Sequence, residues 1–310
     1  MIFGRKNPQG AADSTGTAEL KPLAVLANGR SGGTIFLEAL SRHPEVVVCP
    51  RWPHEQRPAT YVSFARAALR LVPEGEPAGQ EPAKSVYENG RSPFSSREQE
   101  LEHDYGDAVL ARLDAAARAG VSDFYRRLAT SLKKPAVRVF AEKVYVNLMV
   151  EFARQWPAAC VVLLVRDPRD AVVSASEFFY REGEDAAPKA GRAQALTELL
   201  DGRYGQAWTR LPARLEAARA AGVVVHVARY EELLAAPERA LAQVAQWAGV
   251  AADGVSAMAS AFHEAPQRQN HLTSASPQES VGRWRRELEP PLRAQLEQAL
   301  APCVRALGYE

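Results

Sequence analysis

The sequence has few cysteines: Cys49, Cys160 and Cys303 are the only three among 310 residues. Their odd number, their wide spacing and their apolar neighbours argue against a disulfide framework and against a cysteine-based zinc site. A chain without disulfides fits a reducing compartment, and we therefore expect a cytoplasmic protein.

Long apolar runs and net charge are also lacking. No uninterrupted apolar stretch approaches the roughly 20 residues that a membrane span requires, and the net charge is only +1. We therefore predict no integral membrane segment and no nucleic-acid partner, because no general positive field surrounds the chain. Any anion site must be built locally. Residues 1–20 are mostly polar, and we predict a disordered lead-in rather than a signal peptide.

Short apolar runs alternate with helical patterns along the rest of the chain. This alternation predicts an α/β fold, a parallel sheet flanked by helices on both faces, with ligands at the carboxyl ends of the strands. We expect one domain over residues 21–310, with an insertion or cap around 72–132. The predicted strands are 23–27, 46–49, 137–141, 160–165 and 223–228. The predicted helices are 34–41, 60–71, 105–132 (continuous or broken near Gly120), 144–154, 170–180, 193–221 (one helix or a helix pair), 237–248 and 290–307.

The loop after the first predicted strand has the residue types of a phosphate cradle. Glycines allow backbone N–H groups to converge on an anion, and the following helix points its positive end at the same place. An arginine adds charge, and two hydroxyls can donate. The lysine of a Walker A loop is absent, which weakens an NTP-hydrolase interpretation. An ordinary glycine-rich turn stays open as the alternative. The candidate residues are Arg30, Ser31, Gly32, Gly33 and Thr34.

A second candidate loop follows the fully apolar run 160–165. Arg166 stands at the predicted carboxyl end of that strand, and Ser174 follows eight positions later on the next helix. Both side chains could reach one phosphate lying over the edge of the sheet. Asp167 and Asp170 also allow a structural interpretation, in which they pair with the arginines and cap the helix. The two interpretations are compatible.

These two stretches, Arg-Ser-Gly-Gly-Thr and Leu-Val-Arg-Asp-Pro-Arg-Asp-Ala-Val-Val-Ser, together resemble the PAPS-dependent sulfotransferases, especially the bacterial branch related to tyrosylprotein sulfotransferases. PAPS is 3′-phosphoadenosine 5′-phosphosulfate, and PAP is the product left after transfer. The resemblance implies a P-loop-NTPase-like sheet and transfer of a sulfuryl group from PAPS to a hydroxyl acceptor, without a metal. It also implies that the first loop binds the 5′-phosphosulfate, and that Arg166 and Ser174 bind the 3′-phosphate.

Three more stretches are similar to segments of that family. Lys143, after Glu142, matches a lysine that approaches the transferring group; Tyr230 matches a residue near the adenine; and Arg283 matches a C-terminal loop that closes over the nucleotide. There are two departures. Gly33 stands where threonine is more common, and Ile35 stands where cytosolic members have an aromatic residue that stacks on adenine.

The resemblance also implies a base in the segment 51–58, which contains His54, Glu55 and Arg57. Glu55 matches best as a carboxylate base, His54 is the second candidate, and Arg57 could orient Glu55. A solvated polar turn is the alternative. Two other functions remain open: a P-loop kinase or NTPase-like phosphotransferase, with Asp167 in the role of a Walker B acid, and a non-catalytic nucleotide-binding protein. The acceptor could be a small molecule, a carbohydrate, a lipid or a peptide.

Overall fold

The protein is described here by a computed structural model that covers residues 19–69, 107–182, 192–263 and 273–309. Five parallel strands form a single sheet in the order β2-β3-β1-β4-β5. Within these ranges the predicted α/β class and parallel sheet are confirmed. The strands are β1 (Lys21–Leu26), β2 (Val46–Val47), β3 (Val139–Val144), β4 (Cys160–Val165) and β5 (Val225–Arg229).

The central strand β1 lies between β3 and β4, and the three end almost level. Leu26 is opposite Val144 of β3 and Leu163 of β4. Alternate residues of β1 enter two different cores: Ala24 and Leu26 pack on one face of the sheet, whereas Leu23 and Val25 pack on the other. Both faces are therefore covered, as expected for a parallel sheet.

Helices flank the sheet and form most of the connections between strands. In chain order they are α1 (Gly33–Ser41), α2 (Pro58–Leu69), α3 (Asp107–Ser131), α4 (Met149–Gln155), α5 (Pro168–Glu182), α6 (Arg192–Asp201), α7 (Arg203–Thr209), α8 (Leu211–Ala220), α9 (Tyr230–Ala235), α10 (Pro237–Ala248), α11 (Val255–Ser260), α12 (Arg283–Glu287) and α13 (Pro290–Ala306). Single 3-10 turns occur at Val146–Leu148, Ala252–Gly254 and Gln278–Ser280.

Several predicted boundaries were wrong for local reasons. The stretch 193–221 forms three helices rather than one helix or a helix pair, because the chain breaks at Gly202 and again before Pro212. α3 continues through Gly120, where nothing approaches a side-chain position within 4 Å. Residues 1–18 of the predicted lead-in, residues 70–71 of the predicted helix 60–71 and residues 72–106 of the predicted insertion lie outside the described residues.

Two expectations from composition can be compared with the described residues. Cys49, Cys160 and Cys303 are all buried and unpaired. Among the helices described, none is both long and apolar enough to cross a membrane.

Strand β3 extends past the predicted residue 141 and includes Glu142 and Lys143, because the Glu142 carboxylate is fully satisfied inside the protein. It accepts hydrogen bonds from the backbone N–H of Ala59 (2.8 Å) and of Thr60 (2.9 Å), from the Thr60 hydroxyl (2.9 Å) and from the Tyr125 hydroxyl (2.8 Å). Glu142 therefore ties the first turn of α2 to the strand that carries Lys143.

Glu142→Gln is expected to lower the free energy of unfolding by about 1–3 kcal/mol. One carboxylate oxygen is replaced by an amide NH2 group, which is itself a donor and faces the N–H and O–H donors that the oxygen had accepted from. Tyr125→Phe removes one of the four donors and should cost less, about 1 kcal/mol. Urea unfolding of both variants measures the two costs. An equal or larger loss in Tyr125→Phe would contradict this account of the carboxylate.

Candidate active site

The candidate residues gather at the carboxyl-end edge of the sheet, where the loops after β1, β3 and β4 meet. The loop after β1 is closely packed against α9. Gly32 has a φ of 84°, and a Cβ built on it would lie 2.5 Å from the Tyr230 ring. Only glycine fits this position, since both its backbone conformation and the contact exclude a side chain. At Gly33 the nearest atoms to such a Cβ are 3.6 Å away.

Gly32→Ala should destabilise the protein by about 1–3 kcal/mol, from backbone strain and displacement of Tyr230. Gly33→Ala is the matched control and should change stability by no more than about 1 kcal/mol, since this helix position has room. Chemical denaturation distinguishes the two. Equal losses would show that the loop has no special need for glycine at position 32.

Two features make this loop suited to an anion. The Ser31 hydroxyl is completely buried and has no hydrogen-bond partner among the described residues. Such orphaned groups are rare in folded proteins and require an explanation. Helix α1 also starts directly at Gly33 without a side-chain cap. A bound anion would satisfy both the hydroxyl and the N-terminal turn of the helix.

Arg30 crosses from this loop to α5. Its Nε donates to the Ser174 hydroxyl at 3.2 Å, and its guanidinium lies 4.4 Å from the centre of the Phe178 ring. Burial lowers the pKa of Arg30, and the nearby charges of Arg166 and Arg283 lower it further. Arg30, Arg166 and Arg283 therefore lie near one another, and guanidinium groups are common partners of phosphate and carboxylate anions.

Arg166 is 4% exposed and connects the two loops. It donates to the carbonyl oxygens of Arg30 (3.0 Å) and Ser280 (2.5 Å), and its guanidinium lies 5.1 Å from the centre of the Tyr230 ring. Tyr230 thus packs between Gly32 and Arg166, and its hydroxyl accepts from Ser280 at 3.3 Å. The structure therefore brings the first loop, the second loop and the segment around 280 into one cluster.

The acidic residues of the second loop have two different roles. Asp167 pairs with Arg169 at 2.9 Å, as expected from the structural interpretation. Asp170 instead accepts the backbone N–H groups of Gly282 (2.6 Å) and Trp284 (3.0 Å), and burial raises the pKa of its carboxyl. Asp170 therefore attaches the C-terminal segment to the start of α5.

Arg283 and Thr273 complete this side of the site. Arg283 is 2% exposed and pairs with Glu177 at 2.7 Å and with Glu287 at 2.9 Å. It also donates to the Thr273 hydroxyl at 3.1 Å, which lies 2.8 Å from the Ser174 hydroxyl. Thr273 is not among the predicted site residues, because the polar stretch that it forms with Ser274 and Ser276 is more typical of a surface loop than of a phosphate contact.

Tyr204 on α7 was also missed, because it lies in an alanine-rich stretch without a motif. Its hydroxyl lies 2.5 Å from the carbonyl oxygen of Gly29 and 3.2 Å from that of Ala171. Burial raises the pKa of Tyr204 to about 12, so the hydroxyl stays protonated and donates at neutral pH. Tyr204 therefore fixes the first loop to α5.

The other side of the site centres on Lys143. Its ammonium donates to the Thr34 hydroxyl at 2.9 Å, to the Glu55 carboxylate at 2.7 Å and to the Pro53 carbonyl at 3.1 Å. Glu55 also pairs with Arg57 at 2.6 Å and keeps 43% of its side chain exposed. Burial lowers the pKa of Lys143, and the adjacent carboxylate partly opposes this shift.

His54, the second candidate base, has a different environment. It is 3% exposed, and its two ring nitrogens lie 2.8 Å from the Cys49 carbonyl and 3.2 Å from the Glu38 carboxylate. Both nitrogens therefore have partners outside the Lys143 cluster. Among the described residues no group of three or more His, Cys, Asp and Glu side chains is placed to hold a metal ion.

Comparison with known proteins gives the family. A family model described as "Sulfotransferase family" matches residues 22–254. The chain belongs to this family. The predicted resemblance to sulfotransferases is therefore confirmed at the level of the family, whereas the relation to the tyrosylprotein branch stays a prediction. A search of the curated proteins finds no match to the chain.

Solved sulfotransferase structures share the fold. The sulfotransferase domain of the olefin synthase of Synechococcus PCC 7002 is 16% identical, with a TM-score of 0.50 over 97% of this chain and 99% of that one. A mouse sulfotransferase complexed with PAP is 14% identical, with a TM-score of 0.50 over 93% of this chain and 86% of the other. At such identities the likeness shows a common fold and no more.

Proposed function

We propose that the chain transfers a sulfuryl group from PAPS to a hydroxyl acceptor and releases PAP. The observation that carries this proposal is the Lys143 ammonium, which contacts both Thr34 of the first loop and the Glu55 carboxylate. The Lys143 ammonium thus joins the candidate phosphate-binding loop to the candidate base, because both lie within hydrogen-bond distance of it. We choose this nucleotide because the mouse sulfotransferase of similar fold is complexed with PAP.

The donor would lie along the cluster at the edge of the sheet. Ser31 supplies an unpartnered hydroxyl, and Gly32, Gly33 and Thr34 supply backbone at the start of α1, for the 5′-phosphosulfate. Across the cluster, Arg166, Ser174 and Thr273 would bind the 3′-phosphate, the latter two through hydroxyls that lie 2.8 Å apart. Tyr230 is the candidate neighbour of the adenine, and Arg283 holds the C-terminal segment over the site.

The chemistry requires a base and positive charge. The acceptor hydroxyl gives its proton to Glu55 while its oxygen bonds to sulfur, and the bond from sulfur to the 5′-phosphate oxygen breaks. Lys143 and Arg30 stabilise the negative charge on the sulfuryl and leaving oxygens. The products are the sulfated acceptor, PAP and a protonated Glu55, which returns its proton to water.

The nucleotide is tested by thermal unfolding with PAP and with 5′-AMP, which differ only in the 3′-phosphate. PAP at about 100 times its Kd should stabilise the protein by about 2.7 kcal/mol. 5′-AMP and ATP at equal concentration should do much less. Equal shifts would remove the argument for a 3′-phosphate site, and phosphate release from ATP would favour the kinase alternative.

A further inference from the structure

Three aromatic side chains lie near the base segment 51–58, and two of them, Tyr61 and Tyr145, form hydrogen bonds with it. Tyr61 and Phe64 lie one turn apart on α2, and Tyr145 follows the end of β3. The Phe64 and Tyr145 rings meet edge to face, with centres 5.2 Å apart. Tyr61 is 55% exposed and Tyr145 is 42% exposed. We name these three residues the aromatic wall.

The aromatic wall is attached to the base segment through hydrogen bonds. The Tyr61 hydroxyl donates to the Glu55 carbonyl at 3.2 Å. Arg57 donates to the Tyr145 hydroxyl at 2.9 Å and to the Glu55 carboxylate at 2.6 Å, and its guanidinium covers the Tyr145 ring at 4.5 Å. The exposed rings are thus held at a fixed place relative to the carboxylate.

From this arrangement, and resting on the proposed function, we infer that the acceptor is a phenol whose ring packs on the aromatic wall. Aromatic rings prefer edge-to-face or offset contacts with one another, and exposed rings beside a reacting group provide such a surface. A flat aromatic acceptor would pack on the exposed parts of Tyr61 and Tyr145, beside the Arg57 guanidinium that lies over the Tyr145 ring, and would bring its hydroxyl to Glu55.

The acidity of the acceptor hydroxyl also favours a phenol over an alkyl alcohol. Carboxylates are weak bases, and a phenolic hydroxyl such as that of tyrosine ionises near pH 10, much more readily than an alkyl alcohol. A sugar ring could also cover the aromatic wall, but its flanking hydroxyls need polar partners. Arg57 and Lys143, the two charged side chains in contact with Glu55, already pair with its carboxylate, which leaves them poorly suited as partners for sugar hydroxyls.

The transfer step is balanced with a phenol. Its O–H proton passes to Glu55, its oxygen forms the bond to sulfur, and the bond from sulfur to the 5′-phosphate oxygen of PAPS breaks. The products are an aryl sulfate and PAP.

The test compares two acceptors of similar shape, 4-ethylphenol and 4-ethylcyclohexanol, with PAPS as donor and PAP formation as readout. We expect kcat/KM for the phenol to be higher by about tenfold or more, on the scale of pocket discrimination. Tyr61→Ala and Tyr145→Leu should each raise KM for the phenol severalfold with a smaller change in kcat. Phe124→Leu, at a 43% exposed aromatic residue on α3, is the control and should leave both constants unchanged.

The possible outcomes separate this inference from the proposed function. Equal or better use of the cyclohexanol or of a sugar, or an unchanged KM in both aromatic-wall variants, would overturn the phenol inference. If PAP still stabilises the protein and another acceptor class is sulfated, only the phenol inference fails. If PAP gives no thermal shift and PAPS is not consumed with any acceptor, the proposed function fails and the phenol inference fails with it.

Discussion

Glu55→Gln is expected to lower the rate of sulfuryl transfer by about 10²–10⁴-fold, the range for loss of a general base. The amide keeps the size of the side chain, and its single oxygen can still accept from either Lys143 or Arg57, which bind different oxygens of the carboxylate, but it cannot take the acceptor proton. Because the carboxylate is 43% exposed and lies at the end of the Lys143 cluster, folding and PAP binding should be retained. Single-turnover PAP formation, together with the thermal shift caused by PAP, measures both properties.

A matched substitution checks that the loss is specific. Glu216→Gln changes an exposed carboxylate whose one ion pair among the described residues is with Arg219 in its own helix, and it should leave the transfer rate unchanged. Retained turnover in Glu55→Gln would remove Glu55 from the role of base. His54 would then be tested next, although its two ring nitrogens are bound to Cys49 and Glu38.

The convergence of the two candidate loops could be predicted because topology alone brings them together. β1 and β4 are neighbours in a parallel sheet, so the residues that follow them share one edge. The glycines of the first loop and the apolar run 160–165 were readable from local sequence. β4 was therefore predicted with its observed bounds, and the first loop was placed correctly between β1 and α1.

Contacts between residues distant in the sequence could not be predicted. The end of β3 was missed because Glu142 and Lys143 interrupt an apolar run, and the groups that satisfy Glu142 come from α2 and α3. His54 and Glu55 are adjacent in sequence, and they differ because the turn directs His54 to Glu38 and Glu55 to Lys143. No local sequence pattern predicts this turn, in which His54 has a φ of 64°.

Lys143→Met should lower kcat by about 10²–10³-fold, the usual effect of removing one group that stabilises charge in the transition state. Methionine has a similar length and keeps the packing of the stem, but it leaves Thr34 and Glu55 without their common cation. PAP lacks the sulfuryl group, so its binding should change little. Lys133→Met, at an exposed lysine, is the control. A kcat within about twofold of the wild type would exclude Lys143 from the transfer step, since such a change is well below that effect.

The pH dependence of the rate provides a second test of Lys143. Burial lowers the pKa of this lysine below its ordinary 10.5, although Glu55 partly opposes the shift. Only the protonated ammonium can stabilise the leaving charge, so kcat should fall as pH rises through this lowered pKa. In Lys143→Arg the group stays charged throughout this range, because the pKa of a guanidinium is above about 12. The alkaline fall should then disappear even if the different shape of arginine lowers the maximum rate. An alkaline limb that persists unchanged in Lys143→Arg would assign the titration to another group.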